Sequence, residues 1–243
     1  MKRLIIFACI LAGTFSAHRA LACTGITLHT ANNYPITART IEWAATPLHA
    51  MYVIVPRGQQ QRSFLPDGTL AGKTFTAKYG YVGISVENDA FVMEGINEAG
   101  LGVGLFYFPQ YGEYQPYDPQ KKEQSVSDMQ LAAWILSSFA SINELQAAMP
   151  QIRVIATDPR ASTVHWRITE SGGRQVVLEI VNQHVHFYEN PLGVLTNSPD
   201  FGWHLTNLNN YVNLSAGSIN HRQVGRLNLN AFGGGSGVHG LPG

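Results

Sequence analysis

"LACTGITLHTANNYPITARTIEW", residues 21–43, decides how this chain is read. Two runs rich in Thr, Ile and Leu flank Asn32-Asn33, a pair that favours the tight turn of a β-hairpin. A two-residue turn there would pair Ala31 with Tyr34 and, by continuation, Cys23 with Glu42. Upstream lies "MKRLIIFACILAGTFSAHRALA", residues 1–22, with basic Lys2 and Arg3, an apolar run from Leu4 to Phe15, and small Ala20 and Ala22. That is the pattern of a secretory signal peptide with an A-x-A cleavage site. Its apolar run is shorter than the roughly 20 residues a spanning helix needs. Cleavage after Ala22 would leave residues 23–243 as one mature domain, periplasmic or secreted, with Cys23 at its head.

Export narrows the function classes. The chain carries 16 Lys and Arg against 16 Asp and Glu, and losing Lys2, Arg3 and Arg19 leaves 13 against 16. A balance near minus three offers no basic patch for nucleic acid or for an anionic membrane. No second apolar stretch reaches membrane length, so no membrane association is expected after processing. Of the two cysteines, Cys9 lies in the signal, so Cys23 has no partner for an internal disulfide. A single thiol left over in an oxidising compartment is worth flagging as reactive.

Beyond the hairpin the chain reads as further strands: "MYVIVPR" (51–57), "AKYGYVGISVE" (77–87), "AFVMEGI" (90–96), "GLGVGLFYF" (100–108), "STVHWRIT" (162–169), "QVVLEIVN" (175–182) and "HVHFYE" (184–189). Between them "SVSDMQLAAWILSSFASINELQAAMP", residues 125–150, has apolar residues at helical spacing, with Trp134 in the core stripe. "SINE" at 141–144 is a capping box that starts a second helix. A last helix is expected in "DFGWHLTNLNNY", residues 200–211. Strands, helices, strands and a helix argue an α+β layered domain with largely antiparallel sheets. His184 and His186 alternate on one strand without a third ligand at a diagnostic spacing, so no metal is expected. "NLS" at 213–215 matches a glycosylation pattern. The glycine-rich "AFGGGSGVHGLPG", residues 231–243, lacks the Gly-Lys-Ser/Thr of a phosphate loop.

The chemistry concentrates at Cys23. A cysteine that begins a chain carries a thiol and a free α-amine, and an amine of unperturbed pKa about 7.7–8.0 can serve the neighbouring thiol as general base. The same placement would suit a lipidated cysteine, although Ala20 and Leu21 fit a lipobox poorly, or an inert thiol near a junction. Glu42 opposite Cys23 could hold the α-ammonium. Arg39 could stabilise a thiolate and a developing oxyanion. Strict alternation puts Arg39 and Glu42 on opposite faces, so a bulge or strand end is needed for both to reach Cys23. Either could equally be a solvated strand charge.

"CTGITLHTANNYPITARTIEW" resembles the start of the choloylglycine hydrolase and penicillin V acylase family, with its cysteine, an arginine sixteen residues on and an acidic residue nineteen on. "INEAGLGVGLFYFPQY", "VLTNSPDFGWHLTNLNNY" and "AFGGGSGVHGLPG" are similar to its later blocks, in order and at suitable spacing over residues 23–243. The resemblance implies an αββα sandwich, two largely antiparallel sheets between helical layers, of the N-terminal nucleophile hydrolase type. It implies hydrolysis of a linear carboxamide C–N bond without a cofactor, with Cys23 as nucleophile and base, Arg39 as the nearby cation, Glu42 at the α-amine and Asn197 as an oxyanion-hole donor.

Three departures qualify that reading. Glu42 stands where many members have Asp. Tyr107 stands where bile-salt hydrolases usually have Asn, which favours the branch acting on penicillin V and N-acyl homoserine lactones over conjugated bile salts. The family continues past the Leu-Pro-Gly segment to a further catalytic arginine and more strands, so the resemblance implies a sandwich incomplete at the C-terminus, with apolar surface exposed, and a homotetramer only for the full length. Phe106, Tyr107, Phe108 and Tyr111 are expected to form an aromatic cluster beside the oxyanion position, suited to a small-molecule amide with an apolar acyl group. The readings from other classes are an exported lipoprotein and an inactive truncated pseudoenzyme that binds acyl ligands.

Overall fold

A computed structural model describes residues 23–42, 48–159, 161–211, 222–224 and 227–229. Residues 1–22, the "NLS" triplet and the glycine-rich stretch lie outside the described residues.

Strand β1 (Thr24–His29) turns into β2 (Pro35–Arg39). The turn is one residue longer than the Asn-Asn pair suggests. Thr30 N–H donates to Tyr34 O at 3.0 Å and Asn33 N–H to Thr30 O at 2.9 Å, while Asn33 takes a left-handed φ of 62°. A three-residue loop closing on a left-handed residue suits Asn, whose short polar side chain tolerates that conformation. His29 therefore faces Pro35 and Gly25 faces Arg39, and the expected pairing of Cys23 with Glu42 gives way to a register that continues from Cys23 toward Ile41. A slip of one residue exchanges the faces of a strand. Here it brings Arg39 to the side of β1 that carries Cys23 and Gly25.

The chain continues through β3 (Ala50–Val55), the hairpin of β4 (Gln60–Phe64) and β5 (Leu70–Thr76), β6 (Tyr81–Val86), β7 (Asn88–Asn97) and β8 (Gly102–Tyr107). Next come β9 (Ser125–Ser127), helices α1 (Leu131–Ser138) and α2 (Ile142–Ala148), and β10 (Arg153–Ile155), which pairs in parallel with β9. Strands β11 (Val164–Thr169), β12 (Gln175–Val181), β13 (His184–Glu189) and β14 (Leu195–Thr196) lead into α3 (Phe201–Asn207), and a small hairpin joins β15 (Arg222–Val224) to β16 (Leu227–Leu229).

Seven strands form one antiparallel sheet in the order β13-β12-β11-β8-β7-β6-β3, and a second sheet has the order β14-β1-β2. Helix α1 covers one face of the large sheet. Residues Leu131 to Ser137 of α1 are all buried, as expected of a helix that is apolar all round. It sits close because Gly95 of β7 has no side chain: a Cβ there would stand 2.7 Å from Leu136 Cδ1. Asn97 Nδ2 donates to Leu136 O at 2.9 Å and to Phe139 O at 2.7 Å, which satisfies carbonyls at the end of α1. At α2 the expected cap is present, with Glu144 N–H donating to Ser141 Oγ at 3.2 Å and Ala140 N–H to Glu144 Oε2 at 2.9 Å. Trp166, Ile168, Val176 and Leu178 are fully buried in the main core, each large aliphatic side chain contributing roughly 1.5–3 kcal/mol of hydrophobic stabilisation.

The small sheet lies on the other face of the large one. Arg167 Nη1 of β11 donates to Ile26 O at 3.3 Å, and Thr27 Oγ1 donates to Gln175 Oε1 at 2.9 Å. This gives an α+β sandwich in which helices, the large sheet and the small sheet are stacked in that order. The outward face of the small sheet carries Ile26, Leu28 and Ile36, the last two more than half exposed. Among the described residues no helix covers it.

Candidate active site

The small sheet assembles the site by register. Strand β14 pairs with β1 so that Thr24 faces Thr196 and Gly25 faces Leu195, and the same register continued sets Asn197 opposite Cys23. Cys23 thus sits at the end of the central strand, between Asn197 on one side and the Arg39 strand on the other. Thr196 Oγ1 donates to Cys23 O at 2.9 Å, and Thr24 N–H donates to Thr40 Oγ1 at 3.1 Å, fixing the chain on both sides of the thiol-bearing residue. Cys23 is 7 % exposed, packed with Phe106, Val177, Leu195 and Phe201. Its Sγ reaches the backbone carbonyl of Glu42 at 3.9 Å, so Glu42 approaches the thiol through its main chain despite the changed register.

Asn197 is oriented by a backbone donor. Tyr107 N–H donates to Asn197 Oδ1 at 3.0 Å. That bond occupies the Tyr107 N–H. It also turns the Asn197 amide so that Nδ2, the donor end, is the group left to meet one. The main chain of Asn197 is anchored in turn by His204 Nε2 to Asn197 O at 3.2 Å, and Ser198 Oγ donates to Pro109 O at 2.7 Å.

Arg39 reaches under this assembly rather than into solvent. Its side chain is 6 % exposed. Nη1 donates to Leu105 O and to Met93 O, the latter at 3.2 Å, and lies 3.6 Å from Glu94 Oε2. The guanidinium stacks 4.0 Å from the centroid of Phe106, an arrangement in which a delocalised cation meets the negative face of a ring. Glu94 also takes Arg167 Nη2 at 3.3 Å through Oε1. Burial lifts the Glu94 carboxyl above the ordinary carboxylate range, and Arg167 and Arg39 offset part of that rise. Burial likewise lowers Arg167 from its usual value. Glu94 and Arg167 have room because Gly104 lies between their strands, where a Cβ would stand 2.2 Å from Glu94 Oε2.

The aromatic cluster divides. Phe106 and Phe108 are fully buried, the first beneath Arg39 and the second stacked on His165 at 4.3 Å with ring planes 8° apart. Neither presents surface to a ligand, because both point between the two sheets, where the alternation of β8 sends its even-numbered residues. Tyr107 and Tyr111 are 47 % and 39 % exposed. The Tyr107 phenol donates to Ser162 Oγ at 2.7 Å.

Sequence reasoning passed over a second buried ionisable pair. His165 Nδ1 lies 2.9 Å from Glu179 Oε1, and both side chains are fully buried. The strand of His165 reads as alternating, and such a polar position looks solvent-facing until a second sheet is laid over it, while Glu179 is a single charge inside the apolar run "QVVLEIV". Among the described residues no group of three His, Cys, Asp or Glu side chains gathers to hold a metal, and no helix is long and apolar enough to cross a membrane. A depression of about 430 Å³ lined by Arg57, Tyr81, Val82, Ile96 and Glu98 lies toward the β3 edge. It includes none of Cys23, Arg39 or Asn197, so chemistry rather than concavity locates the site.

Comparisons with known proteins identify the family and the fold. A model of linear amide C–N hydrolases, the choloylglycine hydrolase family, matches residues 23–243. A bile salt hydrolase/transferase of Clostridium perfringens is 30 % identical over 227 residues, covering 91 % of this chain and 67 % of the relative. A penicillin V acylase of Pectobacterium atrosepticum is 28 % identical over 224 residues, covering 86 % and 58 %. A crystallised conjugated bile acid hydrolase from Clostridium perfringens superposes with a TM-score of 0.70 at 29 % identity, covering 91 % of this chain and 67 % of that one. A penicillin V acylase from Agrobacterium tumefaciens, with a TM-score of 0.64 at 23 % identity, shares the fold. The chain thus spans about two thirds of the length of several of these relatives. With the match running from Cys23 onward, and the cysteine, the arginine and the asparagine gathered around one strand end, the chain belongs to the choloylglycine hydrolase family of linear amide C–N hydrolases.

Proposed function

We propose that this protein hydrolyses a linear amide with an apolar acyl group, of the penicillin V, N-acyl homoserine lactone or conjugated bile salt class, through Cys23 exposed as the N-terminal residue when residues 1–22 are removed in the periplasm or on secretion. The observation that carries this reading is the register that sets Asn197 opposite Cys23, with the Asn197 amide oriented by Tyr107 N–H at 3.0 Å.

The α-amine of Cys23 takes the thiol proton, and the sulfur attacks the amide carbonyl. Charge develops on the carbonyl oxygen, where the free Nδ2 of Asn197 meets it; a donor of this kind is worth about 10²–10³ in kcat. Collapse breaks the C–N bond, the α-ammonium returns its proton to the leaving nitrogen, and a thioester remains on Cys23. Water, deprotonated by the same amine, attacks the thioester and releases the carboxylic acid and the thiol. Arg39 supplies a buried cation beneath the strand end, held in place by its stack on Phe106, and the Glu42 segment borders the thiol. Tyr107 and Tyr111 are the exposed members of the aromatic set, and Tyr107 meets the site through its main-chain N–H. Penicillin V and the acyl lactones rank above bile salts because an aromatic stands at 107.

The test is turnover on a panel of penicillin V, N-acyl homoserine lactones of graded chain length and a conjugated bile salt. Hydrolysis that rises with acyl length and is abolished in Cys23→Ala supports the reading. Retained turnover in Cys23→Ala, or hydrolysis indifferent to the acyl group, refutes it.

A further inference from the structure

We infer that the buried His165–Glu179 pair is a positioning device for Asn197, a role that rests on Asn197 being the oxyanion donor. The two residues are direct cross-strand partners in the register of β11 and β12, on the face turned toward the small sheet, and both are fully buried. Burying two ionisable groups is costly, and an apolar pair would fill the same volume without that cost. Their hydrogen bonds show what the pair holds. His165 Nε2 lies 3.0 Å from Thr196 O, and that carbonyl only accepts, so Nε2 carries the hydrogen. Glu179 Oε1 accepts from Phe201 N–H at 3.0 Å. The same pair therefore ties both ends of the segment 197–200, with Asn197 immediately after one tie and the first residue of α3 at the other.

One proton is shared between His165 Nδ1 and Glu179 Oε1, 2.9 Å apart. The imidazole plane is fixed by the stacked ring of Phe108 on one side, and Phe106 meets it edge-on at 6.3 Å. His186 stands across from Glu179 on β13. Glu179 Oε2 is buried without a hydrogen-bond partner, so the carboxylate's bonding is concentrated in the oxygen that makes the ties. Cys23 is held separately, by the Thr196 hydroxyl donating to Cys23 O at 2.9 Å and by the pairing of β1 with β14. His165 and Glu179 touch neither the thiol nor the carbonyl under attack; they act through the backbone on either side of Asn197.

The experiment measures kcat and KM on penicillin V for His165→Leu, His165→Asn and His165→Gln, alone and combined with Asn197→Ala, together with the rate of Cys23 alkylation by iodoacetamide. Leu and Asn lose the reach to Thr196 O, while Gln restores a donor near the place of Nε2. Misplacing an oxyanion donor is expected to lower kcat about tenfold or more in His165→Leu and His165→Asn, with KM within about twofold. Most of kcat should return in His165→Gln, and alkylation should be unchanged. Combined with Asn197→Ala, none of the His165 variants should slow the enzyme further. If His165→Leu fails to fold, His165→Asn carries the comparison. Equal losses in both backgrounds, a loss carried by KM, or undiminished kcat in His165→Asn overturns the inference alone. Undiminished kcat in Asn197→Ala, or no turnover by the unsubstituted protein, overturns the parent reading and this one with it.

Discussion

Gly25 is where the two sheets meet beneath the site, and Gly25→Ala tests that packing directly. A Cβ at this position would stand 2.6 Å from Phe106 Cζ and 2.7 Å from Arg167 Nη1. Carbon atoms pack at about 3.5–4.0 Å, so roughly 1 Å of movement is needed. The ring cannot easily supply it. Phe106 is fully buried with the Arg39 guanidinium 4.0 Å from its centroid, and Arg167 is held by Glu94 and Ile26 O. The remaining path is for β1 to lift from the large sheet, which moves Cys23 two residues away. Overpacking of this kind costs about 1–3 kcal/mol, and for a chain of this size each kcal/mol lowers Tm by roughly 2–4 °C. A displacement of about 1 Å at the nucleophile can cost on the order of 10²-fold in rate. Thermal unfolding followed by circular dichroism, with turnover on penicillin V, reads both effects. Gly172, which has open space around its Cβ direction, supplies the control: Gly172→Ala should change stability by less than about 0.5 kcal/mol. If Gly25→Ala matches Gly172→Ala in both Tm and rate, the close approach of β1 to Phe106 and Arg167 is wrong.

Cys23→Ser should leave the thermal midpoint nearly unchanged while removing turnover, and a serine variant as active as the cysteine would contradict the thiol mechanism. Asn197→Ala should lower kcat about 10²–10³-fold, equivalent to roughly 2.7–4 kcal/mol, with a smaller change in KM; a loss confined to KM would assign Asn197 to substrate binding instead. Burial raises the folded-state pKa of Glu94 above its unfolded value, so the native state holds that proton more tightly. Its stabilising contribution is complete below the unfolded value of about 4.3 and is lost as pH rises through the raised folded value. Urea midpoints measured across that window should fall more steeply with pH in the unsubstituted protein than in Glu94→Gln. Asp128, also raised by burial, supplies part of the slope that remains. Identical slopes would remove Glu94 from the balance.

Much of this architecture is legible in the chain, and what was missed has physical reasons. The buried helix at 131–138 and the cap at Ser141 follow from periodicity and side-chain chemistry alone. The first hairpin is visible in its Asn-Asn pair, but its register is not. The third loop residue is set by the left-handed conformation of Asn33, which the pair of asparagines does not specify, and that one residue decides whether Arg39 shares a face with Cys23. The hairpin of β4 and β5 went unread because "QQRSF" is polar, although "PDG" at 66–68 announces its turn, with Gly68 at φ 80° and Thr69 N–H donating to Asp67 Oδ1 at 2.9 Å. Arg167 and His165 lie on a strand, "VHWRIT", whose alternation resembles a half-solvated sheet, whereas Glu179 interrupts the nearly continuous apolar run "QVVLEIV". The burial of His165 and Arg167 depends on a second sheet packed against them, which alternation does not reveal, while the continuous apolar run around Glu179 does suit a strand buried on both faces.

The account stands on Cys23 becoming an N-terminal residue with a free amine, and N-terminal sequencing of the protein expressed with residues 1–22 attached tests this most directly. The account predicts a sequence that begins Cys-Thr-Gly with an unblocked amine. An uncleaved start, or a blocked and lipid-modified cysteine, would remove the base from the proposed mechanism and contradict it.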